Sequence, residues 1–254
     1  MAEPAVKLDR SAVLVAVSVV IGGLAVIFDS TIISLALHTL ADTFAVPVST
    51  IQWVSTGYLL ALGVAIPVVG WAQACIGGKR LWLIALAAFG LVSIACSLAW
   101  DAPSLIAFRV AQGLAGGLMM PLMATLAMQQ VVGGEGFGRL MAMVSLPAAL
   151  GPILAPTLGG LILHWLDWRW LFWVNVPFCV AGLVMAARFI PADPVPERRP
   201  RLDWAGLLLV SPGLVGVLYG LSNIASDGGA TRADVWLPVL AGLALLAAFA
   251  IAQL

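Results

Sequence analysis

The sequence predicts an all-α integral membrane protein that crosses the bilayer about eight times, and three observations predict it. The first is composition: 62% of the 254 residues are hydrophobic and only 9% are charged, with a mean hydropathy of +1.08. A soluble domain carries about 25% charged residues, so the solvent for most of this chain is lipid. The second is a series of apolar runs, each close to the ~20 residues a helix needs to span the hydrocarbon. The third is that basic residues fall in alternate connections between those runs. The formal net charge is zero, which offers no electrostatic basis for a nucleic-acid partner.

The runs follow in order. A short polar stretch, 1–10, leads into 12–37; no small-residue cleavage site follows, so this is read as a first membrane helix and not a removed signal peptide. The others are 51–74, 81–99, 104–131, 140–163, 170–189, 204–224 and 235–252. Within lipid a backbone must satisfy its own hydrogen bonds, so helix is the expected state of each. Connections on one side hold Lys7, Arg10, Lys79, Arg80, Arg139, Arg188, Arg198, Arg199 and Arg201; those on the other hold Arg169 and Arg232. The positive-inside rule then places the N-terminus in the cytoplasm of a multi-pass protein of the cell membrane, and an even number of crossings returns the C-terminus there. The proline- and arginine-rich stretch 191–203 reads as a cytoplasmic linker between a six-helix unit, 1–190, and a helix pair, 204–254.

The ten tryptophans all fall near expected helix ends, which reads first as an interfacial belt. The three cysteines, Cys75, Cys96 and Cys179, are widely spaced and form no metal or disulfide pattern. His38 and His164 sit near helix ends without metal-ligand spacing, so neither a metal nor a cofactor is expected.

Two charges lie inside the expected spans, Asp29 and Arg109. Each costs at least ~2.5–3.5 kcal/mol to insert, so each should face the bundle interior or water and have a partner. Asp29 lies about eight residues before the outer end of the first run and Arg109 about five after the outer start of the fourth, which puts them within about a turn in depth. They could pair directly, pair through water, or share one aqueous cavity. One reading is an ion pair that fixes packing; the sharper one is an ionisable pathway residue with its electrostatic tuner. Gln112, Gly113, Gly116 and Gly117 follow Arg109 and would allow another backbone to approach closely. The fifth run carries Pro147, Gly151, Pro152, Ala155, Pro156, Gly159 and Gly160. Proline removes a backbone donor and crowds the preceding turn, so this helix should kink, either as plain structure or as a hinge that seals a path. The chain has no G-x-x-x-x-G-K-[ST] phosphate loop. No nucleophile, base and orienter converge in it, so an enzyme is not expected.

Several motifs in order resemble the major facilitator superfamily, and within it the fourteen-helix drug:proton antiporter family. Phe28-Asp29-Ser30-Thr31-Ile32 is similar to the first-helix motif L-D-x-T-I-V-N-V-A-L-P, with Ser34 and His38 at its Asn and Pro. Gln52-Trp53, Tyr58, Pro67 and Gly70 resemble its second helix, and Leu105, Arg109, Gln112 and Gly113 resemble L-x-x-x-R-x-x-Q-G. Gly151, Ala155-Pro156 and Gly159-Gly160 resemble the antiporter motif, with alanine at one expected glycine. Trp168-Arg169-Trp170, Phe172, Asn175 and Pro177 match W-R-W-x-F-x-x-N-x-P, and Asp203-Trp204 and Gly206 look like the start of the extra helix pair.

The resemblance implies a six-helix N-terminal transporter half plus two additional transmembrane helices, and proton-coupled efflux of small amphipathic or cationic compounds. Asp29, Thr31, Arg109 and Gln112 would line the proton and substrate path; the fifth-run motif, Gly151 to Gly160, would gate it. Export of a metabolite is the alternative within the superfamily. The loop after the second helix keeps Gly70, Gly77, Lys79 and Arg80 of the family's G-x-x-x-D-R-x-G-R-R/K-R/K. Its acid is Ala74 here and its arginines are Cys75 and Gly78, so the expected consequence is a weakened charge relay. The family has two six-helix halves, and this sequence stops after the extra pair. The expected partners are therefore the bilayer, protons, a small-molecule substrate, and a missing C-terminal half or a second copy. A truncated fragment without transport of its own is the contrasting expectation.

Overall fold

In a computed structural model, residues 10–130, 137–193, 203–227 and 233–252 are described, and every regular element among them is helical. Residues 1–9, 131–136, 194–202, 228–232 and 253–254 are not. Lys7, Arg198, Arg199, Arg201, Arg232 and most of the expected linker therefore lie outside the described residues, as does the side chain of Arg139.

The first run is longer and less uniform than expected. Helix α1 (Arg10–Ile32) tightens into a 3-10 turn, Ile33–Ala36, before α2 (Leu37–Phe44). Hydroxyls compete with the ladder just before that turn. Ser30 Oγ and Thr31 Oγ1 donate to the Ile27 carbonyl at 2.9 and 3.3 Å, and Ser34 Oγ donates to the Thr31 carbonyl at 2.7 Å. Such back-bonding bends helices, and a 3-10 stretch inside a long helix often marks a hinge. The second run is divided the same way into α3 (Val48–Ala65), a 3-10 turn (Ile66–Val68) and α4 (Val69–Ile76), because Pro67 cannot donate back along the helix. Gly77, at φ +91°, separates α4 from α5 (Gly78–Ser97).

Helix α6 (Ala102–Met128) opens on a capping box. The Ser104 N–H donates to Asp101 Oδ1 at 2.8 Å and the Asp101 N–H to Ser104 Oγ at 3.2 Å. Helix α7 (Phe137–Trp165) runs on as one element through Pro147, Pro152 and Pro156. The sixth run splits into α8 (Trp170–Trp173) and α9 (Asn175–Phe189), with Pro177 unable to donate across the join. Helices α10 (Trp204–Asp227) and α11 (Ala233–Ala252) complete the chain. Seven of the resulting segments are long and apolar enough to cross a membrane, and an eighth apolar helix, Val235–Ile251, is shorter.

Packing follows the small residues. Helix α1 lies between α9, α7 and α6, while α6 also packs on α3 and α5. Gly113 and Gly117 of α6 let that helix meet the Tyr58 and Leu62 carbonyls of α3, where a Cβ would overlap backbone. A Cβ on Gly182 of α9 would lie 2.8 Å from Gly22 Cα of α1, so this crossing is also a backbone contact. Helices α10 and α11 close on each other at Gly216 and Gly242, and α10 leans on α3, with the Trp53 and Tyr219 rings 5.8 Å apart.

Two apolar clusters of buried residues lie within residues 15–190. One gathers Val19, Tyr58, Trp82, Leu86, Phe89 and Met119; the other gathers Phe28, Ile32, Val54, Leu105, Trp168 and Phe172. Two tryptophans expected at the interface are thus core residues. Trp82 is fully buried against Gly22, and Trp168 is held edge-on between Phe44 and Phe172. Trp100, Trp165 and Trp204 remain exposed, as a belt requires.

Candidate functional site

The two embedded charges meet directly. Arg109 Nη1 of α6 lies 2.5 Å from Asp29 Oδ2 of α1, and both side chains are 1% exposed. Of the three arrangements open from the sequence, this conformation contains the direct pair. Each partner also has other company. Gln112 Nε2 and Asn175 Nδ2 donate to Asp29 Oδ1 at 3.2 and 2.8 Å. Arg109 Nη1 donates to Gln112 Oε1 at 2.6 Å and Arg109 Nε to the Val54 carbonyl at 3.2 Å. The guanidinium carbon lies over the Tyr58 ring, 4.0 Å from its centroid, with the Phe172 centroid at 5.9 Å.

A second tier fixes the first. Asn175 Nδ2 also donates to Ser93 Oγ at 3.1 Å, and Ser93 Oγ donates to the Phe172 carbonyl at 2.9 Å. Cys96 Sγ donates to Gln112 Oε1 at 3.5 Å. Five helices therefore converge on one buried carboxylate: α1 supplies it, α6 the cation and one amide, α9 the other amide, and α3 and α5 the supports. Burial of a lone charge here would be prohibitive, and these hydrogen bonds are what make the pair tolerable. Arg109 also has three contacts that do not involve Asp29: the Val54 carbonyl, Gln112 Oε1 and the Tyr58 ring.

Of the residues expected in the path, Asp29, Arg109 and Gln112 are brought together. The Thr31 hydroxyl instead bonds its own helix at Ile27. The fifth-run motif lies along the Asp29-bearing stretch of α1: Gly151 abuts Ile27, Gly159 faces Ile32 and Leu35, and Ala155 is buried. Pro152 and Pro156 are exposed, and a Cβ on Gly160 would meet nothing. Gly70, expected in the loop, lies instead within α4 and also faces open space. Gly77 is packed against Asp193, whose carboxylate accepts from the Lys79 and Arg80 N–H groups at 3.2 and 3.3 Å. Lys79 Nζ donates to the Ala187 and Ile190 carbonyls at 2.8 and 2.6 Å.

Sequence reasoning did not assign roles to Asn175, Ser93, Cys96 or Tyr58. Asn175 and Tyr58 stood in quoted motifs, so a signal existed for them. Ser93 and Cys96 carried none, because a small polar side chain in an apolar run looks like packing. No group of three or more His, Cys, Asp or Glu that could hold a metal occurs among the described residues.

Residues 19–254 match the sequence profile of the Major Facilitator Superfamily. The chain belongs to that superfamily. It is 39% identical over 221 residues to the "Multidrug resistance protein B homolog" of Mycobacterium tuberculosis (strain ATCC 25618 / H37Rv), covering 87% of this chain and 41% of that relative. It is 30% identical over 239 residues to "Lincomycin resistance protein LmrB" of Bacillus subtilis (strain 168), covering 94% of this chain and 50% of that protein. This facilitator chain thus spans about half the length of the curated relatives it matches. Among solved structures, the POT family transporter PepTSo superposes with a TM-score of 0.69 over 96% of this chain and 52% of its own. The proton:xylose symporter XylE superposes with a TM-score of 0.61 over 88% of this chain and 56% of its own. Both are 15% identical to it, a likeness of fold alone.

Proposed function

We propose that this facilitator chain serves proton-coupled efflux of small amphipathic or cationic compounds, with both termini cytoplasmic, and that Asp29 is the group that exchanges a proton for substrate. The observation that carries this reading is the Asp29–Arg109 pair, buried among two amides, with Asp29 about one helical turn before the 3-10 turn that follows α1. Asp29 holds either a proton or a cationic partner, not both. Arg109 is the fixed member, held by Val54, Gln112 and Tyr58 through either state. Bending at Ile33–Ala36, against the glycines of α7, would bring Asp29 from burial to an aqueous path. An open apolar groove of about 440 Å³ between α3 and α6, lined by Trp53, Gly57, Ala61, Ile106, Val110 and Leu114, suits the apolar part of such a substrate. The multidrug- and lincomycin-resistance names of the relatives support the same substrate class. Reconstituted efflux by Asp29→Asn tests it: the variant should lose pH-gradient-driven transport, and undiminished coupling would sink the assignment.

A specific observation favours a companion reading, that transport needs a covering second half. Leu146, Ile153, Leu154 and Leu161 of α7 are all exposed, so the helix that bears the gating motif is uncovered along much of its length. Alternating access rocks one half against another around a central site. The C-terminal half of such a transporter, or a second copy of this chain, would cover that face. Efflux by the chain alone should then be weak and should rise when the covering half is co-expressed.

A further inference from the structure

The contacts around Gly77 assign a role to a residue that no motif singled out. The loop between α4 and α5 turns in one residue, Gly77, at φ +91°. Glycine has no side chain to cap the helix that follows, and residues 69–81 contain no carboxylate. The first-turn N–H groups of α5 nonetheless need acceptors. Asp193, 114 residues beyond Lys79, supplies them, one carboxylate oxygen to Lys79 N–H and the other to Arg80 N–H. The same carboxylate occupies the space where a Cβ on residue 77 would stand. The return contact runs the other way: the Lys79 ammonium caps the Ala187 and Ile190 carbonyls at the end of α9. A negative group sits at a helix N-terminus and a positive one at a helix C-terminus, both favourable with the helix dipoles.

We propose that Asp193 and Lys79 form a two-way clasp that locks the turn between α4 and α5 to the end of α9. The carboxylate of this turn comes from the far end of the six-helix unit, and position 74, an exposed alanine, is not needed for it. Neither bond set is a side-chain ion pair: Asp193 holds the backbone of α5 and Lys79 holds the backbone at the end of α9, so loosening one end displaces the partner of the other. The clasp therefore fixes where the chain leaves α9, and releasing it frees both the turn and that exit together. Asp193 and Lys79 act here as positioning residues, independent of the proton step at Asp29.

The native Cys75, two residues before the turn, reports opening. The full chain in membrane vesicles is treated with a membrane-impermeant maleimide that reaches the face of this turn, and Cys75→Ser supplies the background. Asp193→Ala and Lys79→Met should each speed modification of Cys75 about fivefold or more. The double variant should be faster by less than the product of the two effects, as coupled contacts require. Asp193→Asn, which keeps an acceptor and the side-chain volume, should fall between native and Asp193→Ala. Native rates in either single variant would overturn the clasp, as would two effects that multiply in full. Parallel exposure of the buried Cys96 and Cys179 would also overturn it, because the contacts would then hold the whole bundle and not the turn.

Discussion

The first and fifth membrane passages of this chain lie side by side and are built on opposite plans. In the span of Arg10–Phe44, 67% of the apolar stretch is buried, whereas in Leu140–Trp165 the share is 19%. The first bears a carboxylate enclosed by amides, a guanidinium and aromatic rings. The fifth offers α1 a line of small residues and turns most of its apolar surface outward. The buried pair is thus held by α1, α3, α5, α6 and α9, while α7 meets α1 and leaves most of its own surface open.

The largest expected effect breaks the enclosed side of that contrast. Arg109→Ala leaves Asp29 with two amides and no cation, and uncompensated burial of that kind costs about 3–5 kcal/mol. A melting curve of the purified chain in detergent should show it. Asn175→Ala removes one donor and should cost less, about 1–3 kcal/mol. The next effect compares glycines on the two sides. Gly113→Val must push α6 off the Tyr58 carbonyl and should cost about 1–3 kcal/mol or more, whereas Gly160→Ala on α7 meets open space and should change stability by less than about 0.5 kcal/mol. Equal losses at the two positions would mean that α7 is covered in the free chain.

The smallest effect sharpens the picture outside the membrane. Hydrogen bonds from the Ser104 side chain and backbone hold the Asp101 carboxyl below its ordinary value of 3.8. A carboxyl depressed in the folded state contributes stability above its unfolded value and loses it as pH falls through the lower folded one. Asp101→Ala should therefore be less stable than the native chain near neutrality, and the gap should narrow as pH drops below about 4. Asp101→Asn keeps a capping oxygen and should flatten that dependence.

Much of this was legible in the residues. Hydropathy marks the apolar runs that form the helices, since lipid leaves a polypeptide few options. Depth counting brings Asp29 and Arg109 together, because rise per residue is fixed along a helix. The breaks inside runs were less legible. Pro67 and Pro177 advertise theirs, but the turn at Ile33–Ala36 depends on hydroxyls at Ser30, Thr31 and Ser34, which read as ordinary polar residues until their acceptors are seen. Apart from Asp29 and Arg109, partners distant in sequence were not legible. Ser93 reaches Asn175, and Asp193 reaches the turn at Gly77, only because α5 and α9 pack together. Trp82 and Trp168 misled for the same reason: position near a helix end suggests the interface, and burial is decided by what the neighbouring helix leaves open.

The central claim is that a proton carried by Asp29 is exchanged for substrate. The most direct measurement is proton release on addition of a lipophilic cation to the purified chain, with its covering half where required, in lightly buffered detergent containing a pH-sensitive dye. The native protein should release protons in proportion to bound cation, and Asp29→Asn should release none while remaining folded. Undiminished release from Asp29→Asn, or cation binding by the native protein without any release, would contradict the account.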